Sequence, residues 1–212
     1  MDKQFCIFDM DGTLADTSPG IISSFFAVAH EFGVKEPPVE LLYRNIGGSL
    51  VDNLQRLYGL TRDQAMRGSQ IFRDYYGEEG YLQAELYPGM RETLGVIADM
   101  GMKLGVATMK LDEYAKLLVR EWRFENLFVD VCGADHMGQL TKSDLIDRCI
   151  YAADTDPSRT VMVGDSANDY RGAISSGAGF IAVTYGYGFN PETCERNGII
   201  YARSPAEIPD LL

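Results

Sequence analysis

The strongest constraint on this chain lies near its start, where the apolar residues Phe5-Cys6-Ile7-Phe8 run directly into Asp9-Met10-Asp11-Gly12-Thr13-Leu14. An unbroken apolar run of this length reads as a strand buried on both faces, the pattern of a central strand in a parallel sheet. Ligands of open parallel sheets gather outside the carboxyl ends of the strands. Asp9 and Asp11 therefore fall where a reaction centre would be built. Gly12 lets the chain turn away and lets backbone N–H groups approach an anion, and Thr13 is placed to close or cap that turn. The plainer alternative is an Asp-Gly turn whose aspartates cap a helix.

The rest of the chain supports the sheet. From about Thr17 to Phe32, Ile21, Ile22, Phe25, Phe26 and Ala29 recur at helical spacing until Gly33 stops the pattern. Between Pro37-Pro38 and Pro88-Gly89 the sequence reads as short amphipathic helices with no strand, an all-helical insertion. After Pro88-Gly89, helices alternate with strands at Lys103 to Ala107, Phe128 to Val131, Thr160 to Val163 and Gly179 to Val183. This alternation predicts an α/β, doubly wound parallel sheet.

Composition narrows the partners. A net charge of −12 repels nucleic-acid backbones and anionic membrane surfaces, and no apolar run is long enough for a membrane span. Cys6, Cys132, Cys149 and Cys194 are scattered without a C-x-x-C pair, as expected of reduced thiols in a cytoplasmic protein. His30 and His136 are the only histidines, so a three-histidine metal site within one chain is excluded.

Three further polar clusters follow predicted strands or open helices. Thr108 follows Leu104-Gly105-Val106-Ala107, with Lys110 two residues on; Lys142 opens a helix; Asp165 follows Val161-Met162-Val163-Gly164, with Asp169 four residues later. Singly, each has an ordinary explanation: a strand-end hydroxyl, solvated lysines, aspartates complementing a helix N-terminus. Together, aligned strand ends would bring them to one edge. Four carboxylates there need a cation, since two like charges about 4 Å apart repel by on the order of 4 kcal/mol at an effective dielectric near 20. Oxygen donors with almost no histidine suit Mg²⁺ and a substrate phosphate. Thr108 can donate a hydrogen bond to phosphoryl oxygens, Lys142 supplies positive charge, and Lys110 is near enough to assist.

The set DMDGTL at Asp9–Leu14, Thr108 after a strand, Lys142 and GDSANDY at Gly164–Tyr170 resembles the four motifs of the haloacid dehalogenase superfamily. Asp16–Ile21 and Tyr185-Gly186-Tyr187-Gly188 are similar to its phosphoglycolate phosphatase-like branch. The resemblance implies a Rossmann-like core over 1–17 and 87–212 and an all-helical cap domain over 18–86. It also implies a Mg²⁺-dependent phosphatase that hydrolyses a small phosphorylated metabolite through an aspartyl-phosphate. Asp9 would be the nucleophile and Asp11 the acid and base. Thr108, Lys142, Met10, Asp11 and the Met109 backbone would contact phosphate; Asp9, the Asp11 carbonyl, Asp165 and Asp169 would hold the metal. Met109 stands where many relatives carry Asn or Ser, and Lys142 lacks a following proline.

Other readings on the same fold are a β-phosphoglucomutase-type mutase, a 5'-nucleotidase, a pyrophosphatase and a catalytically idle phosphate-binding regulator. The mutase branch typically carries a His soon after D-x-D and an Arg-Gly-x-x-Arg cap segment, and neither is seen here. Arg44, Asn45, Gly47, Gly48 and Ser49 form a polar loop that either faces the site or is a plain helix-helix turn. The expected state is a monomer or weak homodimer.

Overall fold

The structure, a computed structural model, describes residues 3–46 and 49–212. In chain order its regular elements are β1 (Phe5–Phe8), β2 (Ala15–Asp16), α1 (Ser18–Phe32), α2 (Val39–Tyr43), α3 (Leu50–Tyr58), α4 (Arg62–Tyr75), β3 (Glu85–Leu86) and α5 (Met90–Asp99). There follow β4 (Lys103–Leu111), α6 (Asp112–Glu121), β5 (Phe128–Ala134), α7 (Lys142–Ala152), β6 (Thr160–Gly164), α8 (Ala167–Ser175), β7 (Gly179–Val183), α9 (Pro191–Asn197) and β8 (Tyr201–Ala202). These fall into two compact units: one is the chain up to Asp16 with Leu86–Leu212, the other Thr17–Glu85. No described helix is long and apolar enough to cross a membrane.

The first unit is built on a six-stranded sheet in the order β5-β4-β1-β6-β7-β8, with every pair parallel. All four residues of β1 are fully buried. Since successive strand residues face opposite sides, helices must cover both faces there. On one face Phe5 and Ile7 join Leu145, Ile146, Cys149 and Ile150 of α7 and Ala173 of α8 in a single apolar cluster. The chain steps from β1 outward through β4 and β5, then returns to the other side of β1 with β6, so the order reverses at β1. Parallel α/β sheets bind ligands at such a reversal.

Four strand expectations need correction. β4 runs on to Leu111 rather than ending at Ala107, so Thr108 lies within the strand, and β5 extends to Ala134. The extension carries a bulge: Ala107 pairs with Cys132 and Leu111 with Ala134, leaving Thr108–Lys110 opposite Gly133. β8 has no counterpart in the sequence reading, because two residues carry no periodic signal. The stretch expected to be wholly helical also ends in a short strand, β3, which pairs with β2 in a separate ribbon.

In the second unit, Gly33 at φ 61° closes α1 in the left-handed conformation. Phe25 of α1 meets Phe72 of α4 edge to face at 5.0 Å. A Ser49 cap starts α3, and a reciprocal Thr61–Gln64 box starts α4.

Candidate active site

β1 delivers Asp9 to the carboxyl edge of the sheet, and the Asp9 N–H donates to Val163 O at 2.9 Å, which ties the first motif to β6. The Met10 carbonyl then accepts from the N–H groups of Thr13, Leu14 and Ala15, closing a tight turn. Gly12 sits at φ 79° in that turn, and a Cβ there would lie 2.4 Å from Asp165 Oδ2. Both conformation and close approach require glycine. The Thr13 N–H helps to close this turn, as expected. The Gly12 N–H donates to Ala15 O instead of facing an anion, and the buried Thr13 hydroxyl has no hydrogen-bond partner among the described residues. Met10 turns its side chain fully into the core, so any anion contact from it would come from its backbone.

Lys142 is the centre of the arrangement. It opens α7 behind a Thr141–Asp144 capping box, yet it is only 3% exposed, unlike an ordinary solvated lysine. Its ammonium lies 2.9 Å from Asp9 Oδ1 and 2.7 Å from Asp169 Oδ1, and it donates to Ala107 O at 3.0 Å. A Cβ on Gly172 of α8 would approach Lys142 Cγ to 2.6 Å, so the glycine leaves the channel through which this side chain passes. Burial alone would discharge the lysine, but the Asp169 and Asp9 carboxylates outweigh it and hold the group protonated.

Asp169 serves two neighbours. Its Oδ2 accepts from the Ser166 N–H at 3.0 Å and hydroxyl at 2.6 Å, capping α8, while Oδ1 pairs with Lys142. Asp169 thus caps α8 with one oxygen and meets Lys142 with the other. Asp165 Oδ2 accepts the Tyr187 N–H at 2.7 Å. One oxygen each from Asp9, Asp165 and Asp169 lies within 4.8 Å of the others, all on buried residues. Burial first, then Asp169, pushes the Asp9 carboxyl up to about 6, with Lys142 pulling the other way. Burial first, then the Asp169 and Asp9 carboxylates, raise Asp165 as well. Buried oxygen donors that resist ionising together are suited to a hard divalent cation, which would favour the charged forms.

On β4, the buried Thr108 hydroxyl accepts the Lys110 N–H at 3.2 Å, leaving its own hydrogen available to donate. Met109 packs its side chain against the apolar cluster beneath the sheet, so its backbone is what faces the polar edge. Lys110, taken singly as a solvated loop lysine, is buried and places Nζ 2.9 Å from Asp11 Oδ1. In the helical unit, Asn45 is buried: it donates to Leu41 O and accepts from Arg56. Ser49 caps α3, and Arg44 is exposed. Gly47 and Gly48 lie outside the described residues.

The loop after β7 does more than its role as a branch signature implied. Gly186 and Gly188 bring its backbone against Gly12 and Asp165, where Cβ atoms would approach to 2.2 and 2.5 Å. The Tyr185 hydroxyl donates to Thr13 O at 3.0 Å and the Tyr187 hydroxyl to Asp16 Oδ1 at 2.8 Å. The alternating Tyr-Gly spacing is the visible signal for this contact, since glycine inside a polar loop often marks close backbone approach.

A family profile described as haloacid dehalogenase-like hydrolase matches residues 6–183. The tyrosine-protein kinase PtkA of Mycobacterium tuberculosis is 32% identical over 186 residues, 87% of this chain; the chain spans 63% of that protein's length. A phosphoglycolate phosphatase of Vibrio parahaemolyticus is 26% identical over 100% of this chain and 96% of its own. Among solved structures, a haloacid dehalogenase-like hydrolase from Streptococcus pneumoniae superposes with a TM-score of 0.90 at 26% identity, covering 99% of this chain and 98% of that one. Motif order, sheet topology and profile agree across the core, and the chain belongs to the haloacid dehalogenase-like hydrolase family.

Proposed function

We propose that this protein is a Mg²⁺-dependent phosphatase that cleaves a small phosphate monoester through an aspartyl-phosphate on Asp9. The observation that carries this reading is Lys142, whose one ammonium pairs with both Asp9 and Asp169. A nucleophilic carboxylate must meet an anionic phosphoryl group, and a buried, permanently charged lysine beside it offsets that repulsion. Lys142 and Lys110 face the carboxylates of Asp9, Asp11, Asp165 and Asp169, and one divalent cation would balance the remaining charge.

Asp9 attacks phosphorus, while Asp11 protonates the departing alkoxide and later takes a proton from the water that resolves the acyl phosphate. Thr108 and Lys142 hold the equatorial oxygens of the transferring group. Asp9, the Asp11 carbonyl and Asp165 would hold Mg²⁺, with Asp169 acting mainly by fixing Lys142, since both of its oxygens are engaged. Bound there, Mg²⁺ would neutralise phosphoryl charge as it develops. The helical unit would serve as a cap that excludes bulk water. A substrate of the phosphoglycolate type is supported by the end-to-end similarity to the Vibrio protein. The test is a panel of 2-phosphoglycolate, a nucleoside monophosphate, a sugar phosphate and pyrophosphate, scored by kcat/KM with Mg²⁺ and with EDTA. Turnover requiring Mg²⁺ is expected; full activity in EDTA contradicts the metal assignment.

The 32% identity to PtkA favours a second reading, phosphoryl transfer to a protein tyrosine. Incubation with labelled ATP and a tyrosine peptide separates the two, since label would pass to the peptide rather than appear as inorganic phosphate.

A further inference from the structure

The proposed reaction gives Lys142 a direct role and a second buried lysine, Lys110, only a share of the charge balance. Lys110 is 9% exposed, its side chain is 5% exposed, and its ammonium lies 2.9 Å from Asp11 Oδ1. Its placement depends on the irregularity in β4. Three residues, Thr108–Lys110, stand opposite the single Gly133. A bulge of this kind re-aims side chains relative to a regular strand. The bulge is braced on both sides. The Lys110 N–H donates to Thr108 Oγ1, and a Cβ on Gly133 would lie 2.9 Å from the Lys110 carbonyl and 2.3 Å from Asp112 Cα. The Gly133 N–H in turn donates to Asp112 Oδ1 at 3.1 Å. Backbone and side chain of Lys110 are thus both fixed, and the fixed end points at Asp11.

The two lysines divide the two aspartates of the first motif between them: Lys142 takes Asp9 and Lys110 takes Asp11. Asp11 stands on the turn after β1, so its side-chain orientation must be set by a partner outside the strand. We infer that Lys110 is a positioning residue that orients the Asp11 carboxyl group for proton transfer at the leaving group, an inference resting on the phosphatase reading above. In the first step the Asp11 O–H bond breaks and its proton joins the leaving oxygen as the P–O bond to the alcohol cleaves. In the second, a water proton passes to the Asp11 carboxylate as water bonds to phosphorus and the Asp9–phosphorus bond breaks. Acting through Asp11, Lys110 makes its contribution in reactions that need the proton.

The test compares wild type with Lys110→Met, which keeps the stem and removes the charge, and Lys110→Arg, which keeps the charge. Each is assayed with Mg²⁺ on p-nitrophenyl phosphate and on the fastest alkyl ester of the panel. kcat/KM reports the step in which the leaving group departs. Nitrophenolate needs little protonation and an alkoxide needs it fully, so Lys110→Met should raise the aryl-to-alkyl ratio of kcat/KM at least about 10-fold, within the range of a lost general-acid contribution. Lys110→Arg should return most of the alkyl activity. If Lys110→Met fails to fold by circular dichroism, Lys110→Gln takes its place. A ratio within about threefold of wild type overturns the inference, whether both rates fall together, as for a structural lysine, or KM alone rises, as for a substrate-binding one. A wild-type protein that hydrolyses neither ester overturns the phosphatase reading itself, and this inference with it; the other failures leave that reading intact.

Discussion

Asp9 and Asp11 are separated by one residue and by their partners. Asp9 is buried between Lys142 and the Asp165–Asp169 carboxylates, while Asp11 faces Lys110. Their variants should therefore fail in different ways. Asp9→Asn removes the attacking oxygen, and no phosphoenzyme should be trapped from any substrate. Asp11→Asn keeps the nucleophile and loses the proton, so alkyl esters should suffer more than aryl esters in kcat/KM. Mass spectrometry of the quenched protein, alongside the two rates, decides; phosphoenzyme in Asp9→Asn would remove Asp9 from its role. Lys142→Ala should lower kcat by at least about 10²–10³-fold, the range for deleting one preorganised donor to a developing anion. Near-normal turnover in that variant would mean another cation does this work.

At the level of elements, the sequence disclosed whatever depends on local pattern. β1 and β6 are unbroken apolar runs ending in aspartate, and the structure puts both in the centre of the sheet. The starts of α7 and α8 carry Thr141–Asp144 and Ser166–Asp169 spacing, which forms reciprocal caps. What stayed hidden depends on pairing between distant segments. Thr108–Lys110 read as a strand end and a loop because the bulge opposite Gly133 is created by β5, not by anything within β4. Lys142 read as solvated because the channel that buries it is cut by a glycine one helix away, Gly172. That glycine makes the packing of α7 against α8 testable. Gly172→Ala should cost about 1–3 kcal/mol of stability by overpacking. It should also lower kcat by up to roughly 10²-fold, as a catalytic group is displaced by about 1 Å. Unchanged kcat in a folded Gly172→Ala protein would show that the Lys142 stem has another route.

At the scale of the whole molecule, a net charge of −12 surrounds a buried carboxylate cluster, so the metal-free protein carries an electrostatic load that depends on pH. The Asp9 carboxyl sits at about 6 in the fold, against about 3.9 for an unperturbed aspartate. The folded state therefore binds this proton more tightly than the unfolded state. Its stabilising contribution is complete below about pH 4 and is lost as pH rises through about 6. Asp165, raised by the same burial, acts in the same direction. A bound divalent cation reverses this preference by favouring the ionised forms, and ligand binding to the native state alone stabilises it further. In EDTA the melting midpoint should then be lower at pH 7.5 than at pH 5, and millimolar Mg²⁺ should raise the pH 7.5 value toward or above the pH 5 one. NaCl at matched ionic strength separates this from general screening of the surface charge. Asp165→Asn should melt higher than wild type in EDTA at pH 7.5, because one buried negative charge is gone, and should lose most of the Mg²⁺ response. An Asp165→Asn protein that melts lower than wild type in EDTA while responding fully to Mg²⁺ would show that the Asp165 carboxylate stabilises the fold and holds no metal.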